Sequence, residues 1–325
     1  MPNKPAFFFA STQSVDDQLG DVFSFIWSCY AGLREMWWQV RGFHREFPTL
    51  HISDITNKFL SGLPLPGGID LNQMFIQTDW EDHEAGFSKW LLFEACTFYE
   101  NWLEKICSDI FPSSKAADRN AYRLQFPAGI DNRGNPTGYP VAVAEANNNS
   151  SPLMVAEFFP TVSNNRLNCW PNLNDYLVVY RYFKVCRNAY IHANGLGTHE
   201  VVGWHARLVA IQSQTPLPFA HRFNVPQPIV GSRIVLDLHD CILFATLVRR
   251  IICTLDAALC VSVASETILE DRLRTLIAQD HKWRNLPSDP ARRQQRIHRI
   301  LSASRIPEPV NLANVVTWMQ AKRLI

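Results

Sequence analysis

The sequence predicts a mainly α-helical protein, a bundle of antiparallel helices with a loop or hairpin insertion and a small helical region at its C-terminal end. Long stretches repeat apolar residues at three-and-four spacing, and Pro, Gly and Asn clusters separate those stretches. With 47% of 325 residues apolar and 19% charged, the chain is too apolar for general disorder and long enough for one large core or two smaller ones.

The first helix is expected from Val15 to Glu46. Ser14 or Asp16 can cap it, and Val22, Phe25, Ile26, Cys29, Leu33, Met36, Trp37 and Val40 recur on one stripe before Pro48 stops it. A Pro/Gly-rich connector, SGLPLPGGID, leads to a second helix from Glu84 to Ile110. Its apolar arc, from Phe87 and Leu91 through Trp102 and Ile106, is wide enough to meet more than one neighbour.

Residues 111–170 lose helical periodicity. DNRGNPTGYP is a turn sequence flanked by AYRLQF and VAVAEA, which predicts a short hairpin inserted between core helices. The third core helix runs from Leu173 to His192 and stops at Asn194-Gly195. A short helix from His199 to Gln212 and a proline-rich loop follow. The apolar run Ile234 to Val263 then supplies a core helix ending near Ser265, because Asp237, His239, Asp240, Arg249, Arg250 and Asp256 interrupt it too often for a bilayer. Residues 1–265 therefore read as the helical domain. Residues 266–325 read as a basic C-terminal region of amphipathic segments at 266–281, 289–304 and 311–322. No internal repeat is evident.

Eight scattered cysteines without a CxxC pair, and a start that lacks a charged region and a long apolar core, point to a reducing cytoplasm and not to export. Net charge is +1 but uneven. Residues 1–110 hold seven Lys/Arg against fifteen Asp/Glu, whereas residues 272–305 hold nine against two. The latter include Arg292, Arg293, Arg296 and Arg299, with Lys282 and Trp283 nearby. They could follow a phosphate backbone while the indole stacks on a base, or form a solvated face with the indole in the core.

Within the third core helix, Tyr176, Val179, Tyr180, Phe183 and Tyr190 make a core stripe, and Arg187 falls on it. A guanidinium stays charged when desolvated, so a partner, a ligand or a dimer interface should face it. Lys184, Asn188 and His192 follow one another at i, i+4, i+8 as a polar ridge. Arg187 and His192 lie about 140° apart on a regular helix. They converge only where the helix unwinds or where a symmetry mate presents the same pair.

Arg187-Asn188-Ala189-Tyr190-Ile191-His192 resembles the Arg-polar-x3-His signature of HEPN domains, helical proteins found in toxin ribonucleases, anti-phage effectors and RNA-guided CRISPR nucleases. The likeness covers residues 15–265, with the insertion at 111–170 unusual for it. It implies a HEPN-like bundle and metal-independent cleavage of single-stranded RNA, for example tRNA or mRNA, by a toxin or anti-phage effector. It also makes Arg187 and His192 the catalytic pair and Asn188 the residue that orients them. RNA carries its own nucleophile in the 2′-OH, a histidine can relay protons and an arginine can stabilise the charge on the phosphorane. Where antitoxin-regulated members often carry a tyrosine two places after the histidine, this chain has Asn194, which puts regulation by nucleotidylation there in doubt.

Lys184, Tyr190, Arg292, Arg293 and Arg296 are then candidate substrate contacts, and Glu94 a carboxylate that could support Arg187 or His192. His192, His199 and His205 have no i, i+4 pair and no evident acid to orient their rings, so no metal and no cofactor is expected. There is no phosphate-cradling glycine motif. Expected partners are RNA, a second copy in a homodimer, and an antitoxin or defence-complex protein, with no membrane. The competing expectation is a non-catalytic RNA-binding or scaffold subunit in which Arg187 and His192 hold an interface.

Overall fold

The computed structural model describes residues 6–60, 70–279, 283 and 286–325. Residues 61–69 of the connector, and Lys282, lie outside the described residues. The chain is mainly α-helical, and the described residues hold a single two-stranded sheet.

Helix α1 (Ala10–Glu46) begins five residues before Val15, so Ser14 and Asp16 are interior to it and Phe9 stands at the N-cap without a side-chain cap. Its early start follows from Phe7, Phe8 and Phe9, whose buried rings anchor the chain ahead of the first turn. Spanning about 55 Å at 1.5 Å per residue, α1 outruns the main core. Val15, Leu19 and Ile26 join that core, whereas Val40 packs with Ile55, Leu71 and Phe75 in a satellite cluster with α2 (Ile52–Leu60). Phe25, expected inside, is 58% exposed, its ring meeting only Trp90, edge-on at 5.5 Å, among the described aromatic residues.

Helix α3 (Trp80–Ile110) begins at the Asp79 N-cap and buries the arc read from the sequence, including Phe87, Leu91, Leu92, Ala95, Tyr99, Trp102, Leu103 and Ile106. It packs against α1, α7 (Leu173–His192) and α9 (Leu238–Leu259), which explains the width of the arc.

The insertion corrects the expected hairpin. Ala121, Tyr122 and Arg123 of AYRLQF end α4 (Ser114–Arg123), and VAVAEA lies in α5 (Tyr139–Asn147). Ser113 caps α4 by accepting from Ala116 N–H at 3.3 Å, and Pro140 starts α5. Strand pairing shrinks to β1 (Gly129–Ile130) and β2 (Pro136–Thr137) around the Asp131–Gly134 turn. Helix α6 (Phe159–Ser163) then leads to α7.

Helix α8 (His199–Gln212) packs on α7. Leu259 ends α9, and α10 (Val263–Gln279) starts soon after Cys260, so the apolar run is divided between two helices. With α11 (Pro290–Ala303) and α12 (Leu312–Ala321), α10 sends Leu269, Leu273, Ile297, Ile300, Leu301, Val315 and Met319 into the same core as α3, α7 and α9. Residues 266–325 thus share the core of the rest. Asp256 of α9 closes it at the chain's start. Its carboxylate, wholly buried, accepts from Phe8 N–H at 2.8 Å and Phe9 N–H at 3.1 Å, while Arg272 donates to the Phe8 carbonyl at 2.6 Å. Among the described residues no helix is long and apolar enough to cross a membrane.

Candidate functional site

Helix α7 is enclosed by α3, α8 and α9, so its middle is buried on nearly every side. Its last turns leave that enclosure. Lys184, Arg187, Asn188 and His192 occupy the part of the circumference where burial lapses, and His192 is exposed. The helix stays regular through His192 and ends as Asn194 and Gly195 adopt φ of 52° and 75°, with Ala193 and Gly195 N–H both donating to the Ala189 carbonyl. No unwinding brings Arg187 and His192 together within one chain, and they keep the separation of about 140° that five helical positions impose.

Arg187 faces α3. Its Nη1 donates to Asn188 Oδ1 at 3.2 Å and its Nη2 lies 3.7 Å from Glu100 Oε2, while its Nε is buried without a hydrogen-bond partner among the described residues. Glu100 also accepts from Lys184 Nζ, which donates in addition to Gln125 Oε1 at 3.2 Å. One carboxylate therefore lies between two cations, with side-chain exposures of 23% for Glu100, 21% for Arg187 and 14% for Lys184. Burial first, and the Arg187 charge with it, pushes the Lys184 ammonium below the usual lysine range, while the Cys96 thiol beside it opposes that shift; burial pushes Cys96 itself up to about 12.

Glu100, not Glu94, is the acid that meets Arg187. Glu94 accepts from Trp90 Nε1 at 3.3 Å on its own helix. The sequence held one signal for Glu100, its place one turn beyond buried Cys96 at the edge of the apolar arc. A third cation of α7, Arg181, is buried, with its guanidinium 4.1 Å from the Phe126 ring and 3.5 Å from Glu200.

Asn188 touches Arg187, accepting from its guanidinium. Tyr190 is otherwise engaged. Its hydroxyl donates to the Ile234 carbonyl at 2.9 Å, its ring meets Phe93, and burial pushes its phenol up to about 12. On the α3 side of Tyr190 opens a cleft of about 490 Å³ lined by Gly86, Lys89, Tyr190, Asn194, Gly195 and Arg233. Lys89 and Arg233 bring positive charge to it, and neither has a carboxylate partner among the described residues.

The basic segment lies elsewhere, on α11. Arg293 is committed to its own loop, donating to the Pro287 carbonyl at 3.1 Å and the Ser288 carbonyl at 3.4 Å. Arg296 sits 5.6 Å from the ring of Trp283, which packs against the core. Arg292 and Arg299 are exposed. His205 is buried with Tyr182, and His199 begins α8, so neither groups with His192.

Comparison with family models, curated proteins and solved structures finds no match to this chain.

Proposed function

We propose that the chain is a metal-independent endoribonuclease acting on single-stranded RNA as a toxin or anti-phage effector, with Arg187 and His192 as its catalytic pair. One observation carries the reading. The Arg-Asn-x3-His segment occupies the exposed C-terminal end of the enclosed helix α7, where Arg187 is held by Asn188, retains an Nε–H without a partner among the described residues, and His192 is exposed.

The chemistry follows from those groups. The imidazole of His192 takes the proton of a 2′-OH, and the resulting oxygen attacks the adjacent phosphorus. The Arg187 guanidinium bears the charge gathering on the phosphorane, and the His192 imidazolium gives its proton to the 5′-oxygen, which leaves as a hydroxyl. The products are a 2′,3′-cyclic phosphate and a 5′-hydroxyl end. The cationic cleft beside Tyr190 gives the RNA backbone a place to extend. Because the two residues lie about 140° apart on a regular helix, a two-fold homodimer that sets the α7 ends together supplies the complete site.

Incubation of the purified protein with total RNA in excess EDTA tests the proposal. Cleavage with cyclic-phosphate ends, lost in His192→Ala, is the expected result. The ion pair between Arg187 and Glu100 favours a second reading, a non-catalytic RNA-binding or scaffold subunit, for which the same experiment gives binding without cleavage.

A further inference from the structure

The first turn of α9 carries a group of side chains that RNA cleavage does not use. One donor atom from each of Asp237, His239 and Asp240 lies within 4.8 Å of the others. Asp237 is the N-cap of α9, and its Oδ1 accepts from Asp240 N–H at 2.7 Å. Asp240 Oδ1 accepts from Asn224 N–H at 2.8 Å, which ties the irregular segment between α8 and α9 to the helix. That tie brings His221 beside His239, their rings 6.3 Å apart.

Helix capping accounts for Asp237 and for one oxygen of Asp240. It does not account for the rest. Asp240 is 0% exposed, yet its Oδ2 has no hydrogen-bond partner among the described residues. A carboxylate oxygen buried without a donor is costly, and nearly all such groups in folded proteins are satisfied. Beside it stand the Asp237 carboxylate and the His239 imidazole, a donor set that suits a metal ion.

We infer that Asp237, His239 and Asp240 form a divalent transition-metal site, with His221 as a fourth ligand, that fastens the α8–α9 segment to the start of α9. The imidazole among the donors selects Zn²⁺ over Mg²⁺, which prefers oxygen alone. Donors around tetrahedral zinc stand about 3.4 Å apart at bond lengths of about 2.1 Å. The group must therefore contract by up to about 1.4 Å, and exposed Asp237 and His239 have the freedom to do so. The positive end of the helix dipole opposes a cation here, but two carboxylates outweigh its half charge.

Equilibrium dialysis of the full chain against micromolar Zn²⁺, with metal counted by mass spectrometry, tests this directly. One ion per chain is expected, undisturbed by excess Mg²⁺ and raising the thermal midpoint. Asp240→Asn and His239→Ala should each weaken binding by about 100-fold or more, and His221→Ala by less. His239 is exposed, so its variant keeps the fold and decides the matter should Asp240→Asn fold poorly. No retained ion in the parent chain, or an ion held at undiminished affinity by His239→Ala, overturns the site.

Discussion

Replacing Glu100 with Gln removes the negative charge that lies between Lys184 and Arg187 while keeping side-chain size. At 3.7 Å, the Glu100–Arg187 separation, two unit charges interact with about 4 kcal/mol at an effective dielectric of 20, an upper bound before solvation is counted. Breaking a fully buried pair costs about 3–5 kcal/mol and an exposed one less than about 1. These groups are 14–23% exposed, so a loss of about 1–3 kcal/mol is expected in urea unfolding. Activity should go the other way. In the proposed site Glu100 would compete with phosphate for Arg187, so the variant should cleave RNA as well as the parent or faster. A stability change below about 0.5 kcal/mol would mean that solvent screens the cluster. Cleavage falling as far as in Arg187→Ala would refute the idea that Glu100 restrains Arg187, and would make it part of the chemistry.

Arg187→Ala and His192→Ala should each lower cleavage by about 10²- to 10⁴-fold with RNA affinity largely kept, and the double variant should be scarcely slower than the worse single one, as single-turnover rates will show. Asp256, raised from 3.8 to about 6 chiefly by burial, holds its proton more tightly folded than unfolded; its ionisation therefore lowers stability as pH rises from about 4 to about 6, by about 3 kcal/mol, and unfolding of Asp256→Asn across that range should lack this slope. Gly195→Ala should cost about 2 kcal/mol in chemical denaturation, because φ is +75° there and a Cβ would sit 2.9 Å from Tyr190 Cδ1. Arg292→Ala and Arg299→Ala should flatten the salt dependence of RNA binding by about 0.7 per lost phosphate contact, and an unchanged slope would remove α11 from the RNA surface. Deleting residues 266–325 is no substitute for that test, since Leu269, Ile300 and Met319 complete the core.

Much of the fold could be read from periodicity because burial imposes it. Leu173–His192 matches the expected bounds, since Pro171 and the Asn194-Gly195 pair punctuate both ends by backbone geometry alone. The insertion was misread because AYRLQF and VAVAEA are too short to separate strand from helix, and Ser113 and Pro140, which start the helices, stand outside them. At the candidate site, Arg187 was legible as a charge on an apolar stripe, but its acid was not. Which carboxylate of α3 meets α7 depends on how far the two helices slide along one another, and no pattern within either helix fixes that. Asp240 was hidden likewise, because its burial depends on the segment carrying Asn224.

The clasp of Asp256 and Arg272 on the backbone of Phe8 sets the order in which this protein can be built. The two ends of the Asp256–Phe8 bond are 248 positions apart. At roughly 5–20 residues per second of synthesis, Phe7, Phe8 and Phe9 spend some 10–50 seconds outside the ribosome before α9 emerges to receive them. Three bare aromatic rings held that long are a target for chaperones and for neighbouring nascent chains. The yield of soluble protein should therefore depend on translation speed and chaperone supply more than the stability of the finished fold suggests.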